Sequence, residues 1–292
     1  MAKFEEAIRK ISKPTIKKGF STIIISEKEV IVREGFWSGN SITFSTNENI
    51  SLPKLMRFLD GKKALSEIFS KLNKVELKEF QELVNGLYKN NLLVDTNKKT
   101  NNKVAIISDN KNSKLSALIK VNLDGSVQFS NNINAADLVV ICSEGINIKK
   151  LEEFNKKFIE LKKPFIFVFV DGKFGIVGPT VVPKRTACFK CFELRLQSNM
   201  SAHNTYLKIR EHELQVNTSL HKLNFLASMA VQDILKFFDE ASATFNHAIF
   251  IDFENFDIEL NPVYKLPRCA DCGSSTPPDN PFINLPDILK ES

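Results

Sequence analysis

Four of the five cysteines fall into two Cys-x-x-Cys pairs, Cys188 with Cys191 and Cys269 with Cys272. Each pair closes a chelate turn, and two such turns facing one another surround a d¹⁰ ion with four thiolates and leave no position open for water. The spacing therefore predicts a structural zinc site that ties distant segments together and performs no metal-based chemistry. Buried free thiols or two redox dithiols are the alternatives. The concentration of cysteines into pairs favours zinc. The fifth, Cys142, ends the run Leu138-Val139-Val140-Ile141 and reads as a small buried apolar residue.

At 292 residues, with 43% hydrophobic content, the chain has material for about two domains with proper cores. It contains no apolar, uncharged run of about 18 residues. Its first residues, Met1-Ala2-Lys3-Phe4-Glu5-Glu6, lack the apolar stretch of a signal peptide. The expected address is cytoplasmic, with no membrane partner, and there paired cysteines serve metals rather than disulfides. The net charge of +6 is unevenly placed: residues 1–100 carry 18 Lys/Arg against 12 Asp/Glu, and residues 101–292 carry 22 against 22. Such a basic first third suits an acidic partner, whether peptide, nucleic acid or lipid headgroup, or is simply a solvated basic surface.

Residues 1–15, with Lys10, Lys13 and Pro14, read as a short amphipathic or frayed lead-in. Three β-like runs follow, Phe20–Ile25, Glu29–Arg33 and Ser41–Thr46, rich in β-branched residues and punctuated by Gly35 and Gly39. Three helical patterns come next: Leu52, Leu55, Met56 and Leu59 up to Asp60-Gly61; Leu65, Ile68, Phe69 and Leu72; and Leu77, Phe80, Leu83, Val84, Leu87 and Tyr88 up to Asn90-Asn91. Three strands and three helices make a winged-helix-like domain over residues 1–96. The polar stretch Thr96–Asn102 is the expected boundary to a second domain over residues 103–292.

This order of elements, with Leu59-Asp60-Gly61-Lys62-Lys63 between the first two helices and Asn91-Leu92-Leu93 after the third, resembles the recognition element of ribosomal peptide natural-product pathways. The resemblance implies that the leader of a precursor peptide lies as an added strand along Ser41, Ile42, Thr43, Phe44 and Ser45, against Phe80, Val84, Leu87 and Tyr88 of the third helix. An exposed strand edge suits that task, because its unpaired N–H and C=O groups gain a partner strand. A DNA-binding winged helix is the alternative. The third helix offers Lys78, Lys89 and several Glu rather than an Arg-rich reading face, which disfavours a nucleic acid partner.

The second domain alternates buried-type strands (Val104–Ile107, Leu138–Ile141, Phe165–Val170) with amphipathic helices, which predicts a Rossmann-type α/β domain around a parallel sheet. A nucleotide would need a glycine loop after the first strand. Ser108-Asp109-Asn110-Lys111-Asn112-Ser113 stands there instead, and Asp109 would oppose a phosphate, so no ATP site is expected. Further on come a helix from Phe192-Glu193-Leu194, a long helix from about Thr218 to Phe238, and a strand at Ala248–Phe253. The motif Gly178-Pro179-Thr180-Val181-Val182-Pro183-Lys184-Arg185-Thr186-Ala187-Cys188-Phe189-Lys190-Cys191 is similar to that of ThiF-like scaffolds. Among them it looks most like the leader-binding (Ocin-ThiF-like) partner proteins of azoline and thiopeptide biosynthesis. That resemblance implies a YcaO cyclodehydratase as partner, a non-catalytic role for this chain, and a homodimer as a common state of ThiF-like relatives. An adenylating ThiF-like enzyme is the rival.

The remaining reactive residues add little. His203, His212, His221 and His247 have no metal-like spacing, and no Ser-His-Asp arrangement or exposed basic-flanked cysteine supports nucleophilic catalysis. Arg185 and Arg195 flank the first pair and are expected to offset the charge of a tetrathiolate centre. The tail Thr276–Ser292 is proline-rich and then apolar at Leu285, Ile288 and Leu289; it either caps its own domain or docks on a partner.

Overall fold

In a computed structural model, residues 12–46, 50–72, 77–96, 101–110, 112–215 and 217–273 are described. The lead-in before Ser12, most of the linker stretch and the tail Thr276–Ser292 lie outside them. The chain divides into two units, up to Lys99 and from Thr100.

The first unit contains β1 (Pro14–Ile16), β2 (Phe20–Ser26), β3 (Glu29–Glu34), β4 (Ser41–Ser45), α1 (Leu52–Phe58), α2 (Leu65–Lys71), α3 (Leu77–Lys89) and β5 (Leu93–Asp95). Strands β2, β3 and β4 form an antiparallel sheet in that order, and β1 pairs with β5 in a separate ladder. Alternation puts Val30, Val32, Ile42 and Phe44 on one face, where they meet Leu52, Leu55, Ile68, Phe80, Val84 and Leu87 in a single core. Helix α1 begins where Ser51 Oγ accepts from Lys54 N at 3.4 Å, with Pro53 in the first turn. The three expected strands and three expected helices are all present within a residue or two. The ladder of β1 with β5 was not legible: three-residue strands carry too little pattern, and Asp95 fixes this one by accepting from Ser12 N at 2.8 Å and Lys13 N at 3.0 Å.

The second unit contains β6 (Lys103–Ser108), α4 (Lys114–Leu123), β7 (Gln128–Phe129), β8 (Leu138–Ser143), β9 (Gly145–Ile146), α5 (Ile148–Glu160), β10 (Phe165–Asp171), β11 (Phe174–Val181), α6 (Phe189–Asn199), α7 (His203–Ile209), β12 (Leu214–Gln215), α8 (Leu220–Phe238), β13 (His247–Asp252) and β14 (Asp257–Pro262). Seven strands form one sheet in the order β14-β13-β11-β10-β8-β6-β7. Val140, Cys142, Ile166 and Val168 face α4 and α8, whereas Val139, Ile141, Phe165 and Phe167 face α5 and α6. Both faces are covered, as continuous apolar strands require.

The expectation of a parallel sheet holds only for β7, β6, β8 and β10. Strands β11, β13 and β14 run antiparallel to their neighbours. The tight turns between β10 and β11 at Gly172, with φ +60°, and between β13 and β14 at Phe256, with φ +55°, leave no room for a crossover helix, so β11 and β14 reverse while β13 runs in the direction of β10. Cys142 is fully buried, as its strand pattern implied.

Candidate functional site

Cys188 caps the N-terminus of α6, and Cys191 lies in its first turn. Cys269 and Cys272 lie in the turn beyond β14. The fold brings them together: Cys188 Sγ is 3.8 Å from Cys191 Sγ and 3.7 Å from Cys269 Sγ, and Cys191 Sγ is 3.5 Å from Cys272 Sγ. A disulfide needs about 2 Å. Four sulfurs held about 2.3 Å from a central zinc would stand about 3.8 Å apart, so the donor set fits a tetrahedral ion. The cluster can hold a metal ion. The sulfurs of Cys188 and Cys272, and the Leu266 N–H that donates to Cys191 Sγ at 3.3 Å, hold the Cys191 thiol well below its usual range. The sulfurs of Cys191 and Cys272, followed by burial, push Cys188 up. Four sulfurs this close ionise together only around a cation.

Glycine is obligatory at one point of this knuckle. A Cβ on Gly273 would lie 2.4 Å from the Cys269 carbonyl oxygen and 2.8 Å from that of Pro267. The two knuckles are also joined by a residue that the sequence did not single out. Asn155, 0% exposed in α5, donates from Nδ2 to Asp271 Oδ2 at 2.7 Å and accepts at Oδ1 from Phe189 N at 3.0 Å. The available signal was an asparagine within the apolar stripe Leu151, Asn155, Phe158. Lys190, between the first two cysteines, pairs with Glu152 at 2.6 Å and Glu193 at 3.0 Å, which fastens α6 to α5.

Neither arginine expected to offset the charge of the site hydrogen-bonds a cysteine sulfur among the described residues. Arg195 donates from Nε to the Tyr264 carbonyl at 2.9 Å, with its guanidinium 5.2 Å from that ring, and so holds the approach to the second knuckle. Arg185 is exposed in the turn before Thr186. The histidines are likewise dispersed: His203, His212 and His221 are exposed, and His247 Nδ1 lies 2.9 Å from the Phe245 carbonyl.

At the carboxyl ends of β6 and β8 the strand order reverses, the usual place for a nucleotide in such sheets. Here the first turn of α4 is already engaged: Leu115 N donates to Glu144 Oε1 at 2.9 Å and Ser116 N to Ser113 Oγ at 3.1 Å. Asp109 beside it accepts from Ser143 Oγ, and its carbonyl accepts from Lys150 Nζ at 2.8 Å. A phosphate entering there would displace two protein acceptors and face two carboxylates.

In the first unit, β4 is an outer strand. Thr46 N donates to Lys28 O and Glu34 N to Asn40 O, both at 3.0 Å. Alternation of the ladder then turns the backbone of Ile42 and Phe44 toward β3 and that of Ser41, Thr43 and Ser45 away from it. Among the described residues β4 has a ladder partner on one side only. Helix α3 runs alongside, with Thr46 Oγ1 donating to Glu79 Oε1 at 3.1 Å. A Cβ on Gly86 would come within 3.3 Å of the Phe44 ring. Of the residues expected to touch a peptide, Ser41, Thr43 and Ser45 are exposed, and Ile42 and Tyr88 are half-buried. Phe44, Phe80, Val84 and Leu87 are buried in the core. They shape the floor beneath the strand rather than its surface.

The sequence matches no protein-family model and no curated protein. The fold does have counterparts. A heterocyclase solved in complex with substrate and cofactor superposes with TM-score 0.72 at 17% identity, over 90% of this chain and 40% of its own length. The heterocyclase TruD gives 0.70 at 18% identity, over 90% and 43%. This chain shares its fold with heterocyclases. It spans about two fifths of their length. E. coli MccB, solved with succinimide, gives 0.54 at 14% identity over 89% of this chain and all of its own. Among the described residues, no helix is long and apolar enough to cross a membrane.

Proposed function

We propose that this chain is a non-catalytic adaptor that captures the leader of a ribosomally made precursor peptide and presents it to a separate YcaO-type cyclodehydratase for azoline formation. The first unit, through residue 96, acts as a winged-helix-like recognition module, and residues 103–292 act as a ThiF-like scaffold held by structural zinc at Cys188, Cys191, Cys269 and Cys272. The observation that carries this reading is the outward-turned backbone of Ser41, Thr43 and Ser45 on an outer strand flanked by α3. Such an edge accepts an extended peptide through main-chain hydrogen bonds, while neighbouring pockets read alternate side chains. The basic excess of the first third suits an acidic leader. Likeness of fold to a heterocyclase solved with its substrate supports the same context. The rival, an adenylating enzyme, is disfavoured by Glu144 and Ser113 filling the first turn of α4 where a phosphate would sit. Capture then works by raising the local concentration of core Cys, Ser or Thr at the partner's active site.

The test is Thr43→Pro in the full chain, titrated with the leader of the precursor encoded nearest to it. Proline is tolerated on an outer strand where its missing N–H faces solvent, so the variant keeps its ladder to β3 and loses one bond to the peptide. Loss of binding with unchanged thermal unfolding supports the proposal. Equal binding by wild type and T43P contradicts it.

A further inference from the structure

The turn between β3 and β4 displays two aromatic rings to solvent. Phe36 is 78% and Trp37 94% exposed, and their rings meet edge to face with centroids 5.2 Å apart. The turn is held firmly. Arg33 Nε donates to Gly35 O at 3.0 Å, and Arg33 Nη2 donates to Phe36 O at 2.8 Å and Ser38 O at 2.7 Å. Asn40 closes the base, donating from Nδ2 to Glu34 Oε2 at 2.9 Å. A guanidinium committed to three carbonyls fixes the backbone of the loop before any partner arrives, and exposed aromatics presented on such a turn are the side chains that dominate binding energy once covered.

The rings stand in the turn that leads into β4, four and five residues ahead of Ser41. An extended peptide advances about 3.3 Å per residue, so a strand paired with Ser45, Thr43 and Ser41 and continuing past Ser41 would reach this turn within a few residues. We propose that Phe36 and Trp37 form an aromatic anchor for the bound peptide, taking an apolar or aromatic residue just beyond its strand-paired segment. This rests on the peptide-binding reading given above and adds a specificity element to it. An anionic lipid surface is a poorer occupant, because the Arg33 donors are turned to carbonyls and Glu34 lies at the base of the turn.

Trp37 is the sole tryptophan of the chain, so its emission reports the anchor directly. The probe is the synthetic leader of the precursor encoded nearest to this chain, made without tryptophan and added to the 292-residue chain while calorimetry records binding. A blue-shifted Trp37 emission that saturates with the calorimetric isotherm is expected. Trp37→Ala should weaken binding by about tenfold or more and Trp37→Phe by much less. Phe256→Ala, which removes an 86% exposed ring in the second unit, should change nothing. Binding with unchanged emission and full affinity of W37A overturns the anchor and leaves the peptide-binding reading standing. Failure of the wild-type chain to bind the leader removes both. An emission shift with phosphatidylcholine–phosphatidylglycerol vesicles and none with the leader overturns the proposal in favour of a membrane contact.

Discussion

Replacing Asn155 by Ala tests how the two cysteine knuckles are held together. The substitution removes a buried donor and acceptor at once, leaving the buried Phe189 N–H without its 3.0 Å partner and Asp271 without its 2.7 Å donor. A buried unsatisfied backbone N–H costs about 2 kcal/mol, and a half-buried carboxylate that water can reach costs about 1 kcal/mol, giving about 3 kcal/mol in all. With a urea dependence of about 3 kcal/mol per molar, the unfolding midpoint should fall by about 1 M. Because Asn155 orients residues on both cysteine turns, zinc affinity measured against a chromogenic chelator should fall between about 10-fold and 100-fold. Asn155→Asp should be worse, because a second carboxylate would face Asp271. An N155A protein with wild-type midpoint and wild-type zinc affinity would refute the view that this side chain couples the knuckles.

Other outcomes follow from single contacts. Gly273→Ala should abolish stoichiometric zinc in the purified protein, measured by elemental analysis, since its Cβ would sit 2.4 Å from the Cys269 carbonyl oxygen. Gly86→Leu should weaken leader binding measured by calorimetry, because even a Cβ there lies 3.3 Å from the Phe44 ring and a larger side chain must enter the space between α3 and β4. Asp252 is held well below its ordinary pKa of 3.8, chiefly by the Lys173 ammonium and then by the backbone N–H groups of Glu254 and Asn255. A depressed folded value stabilises above pH 3.8 and loses that contribution as pH falls below it. Urea unfolding between pH 6 and about pH 2 should therefore show a steeper acid loss for wild type than for Asp252→Asn.

Much of the frame was readable because its patterns are long. The stripe Leu77, Phe80, Val84, Leu87 marks α3, and the unbroken apolar runs of β8 and β10 mark buried central strands. The cysteine spacing singled out the four residues whose sulfurs the fold brings together. What escaped the sequence depends on tertiary neighbours. Strand β14 has its apolar Ile258 and Leu260 exposed on an outer strand, so its alternation carries no burial signal. Helix α7 buries only Tyr206, whose hydroxyl donates to Glu193 at 2.6 Å. Arg195 was read from its closeness in sequence to the cysteines, whereas the fold turns it to Tyr264. Phe80, Val84 and Leu87 of α3 are buried in the core, because a helix at the margin of a small sheet must bury its apolar stripe to be stable.

The most direct test of the adaptor account is amide hydrogen exchange along β4 with and without the precursor leader. Slowing is predicted at Ser41, Thr43 and Ser45, whose N–H groups turn outward, with little change at Ile42 and Phe44, which already pair with β3. A leader that binds tightly yet leaves those three amides exchanging as before would contradict it.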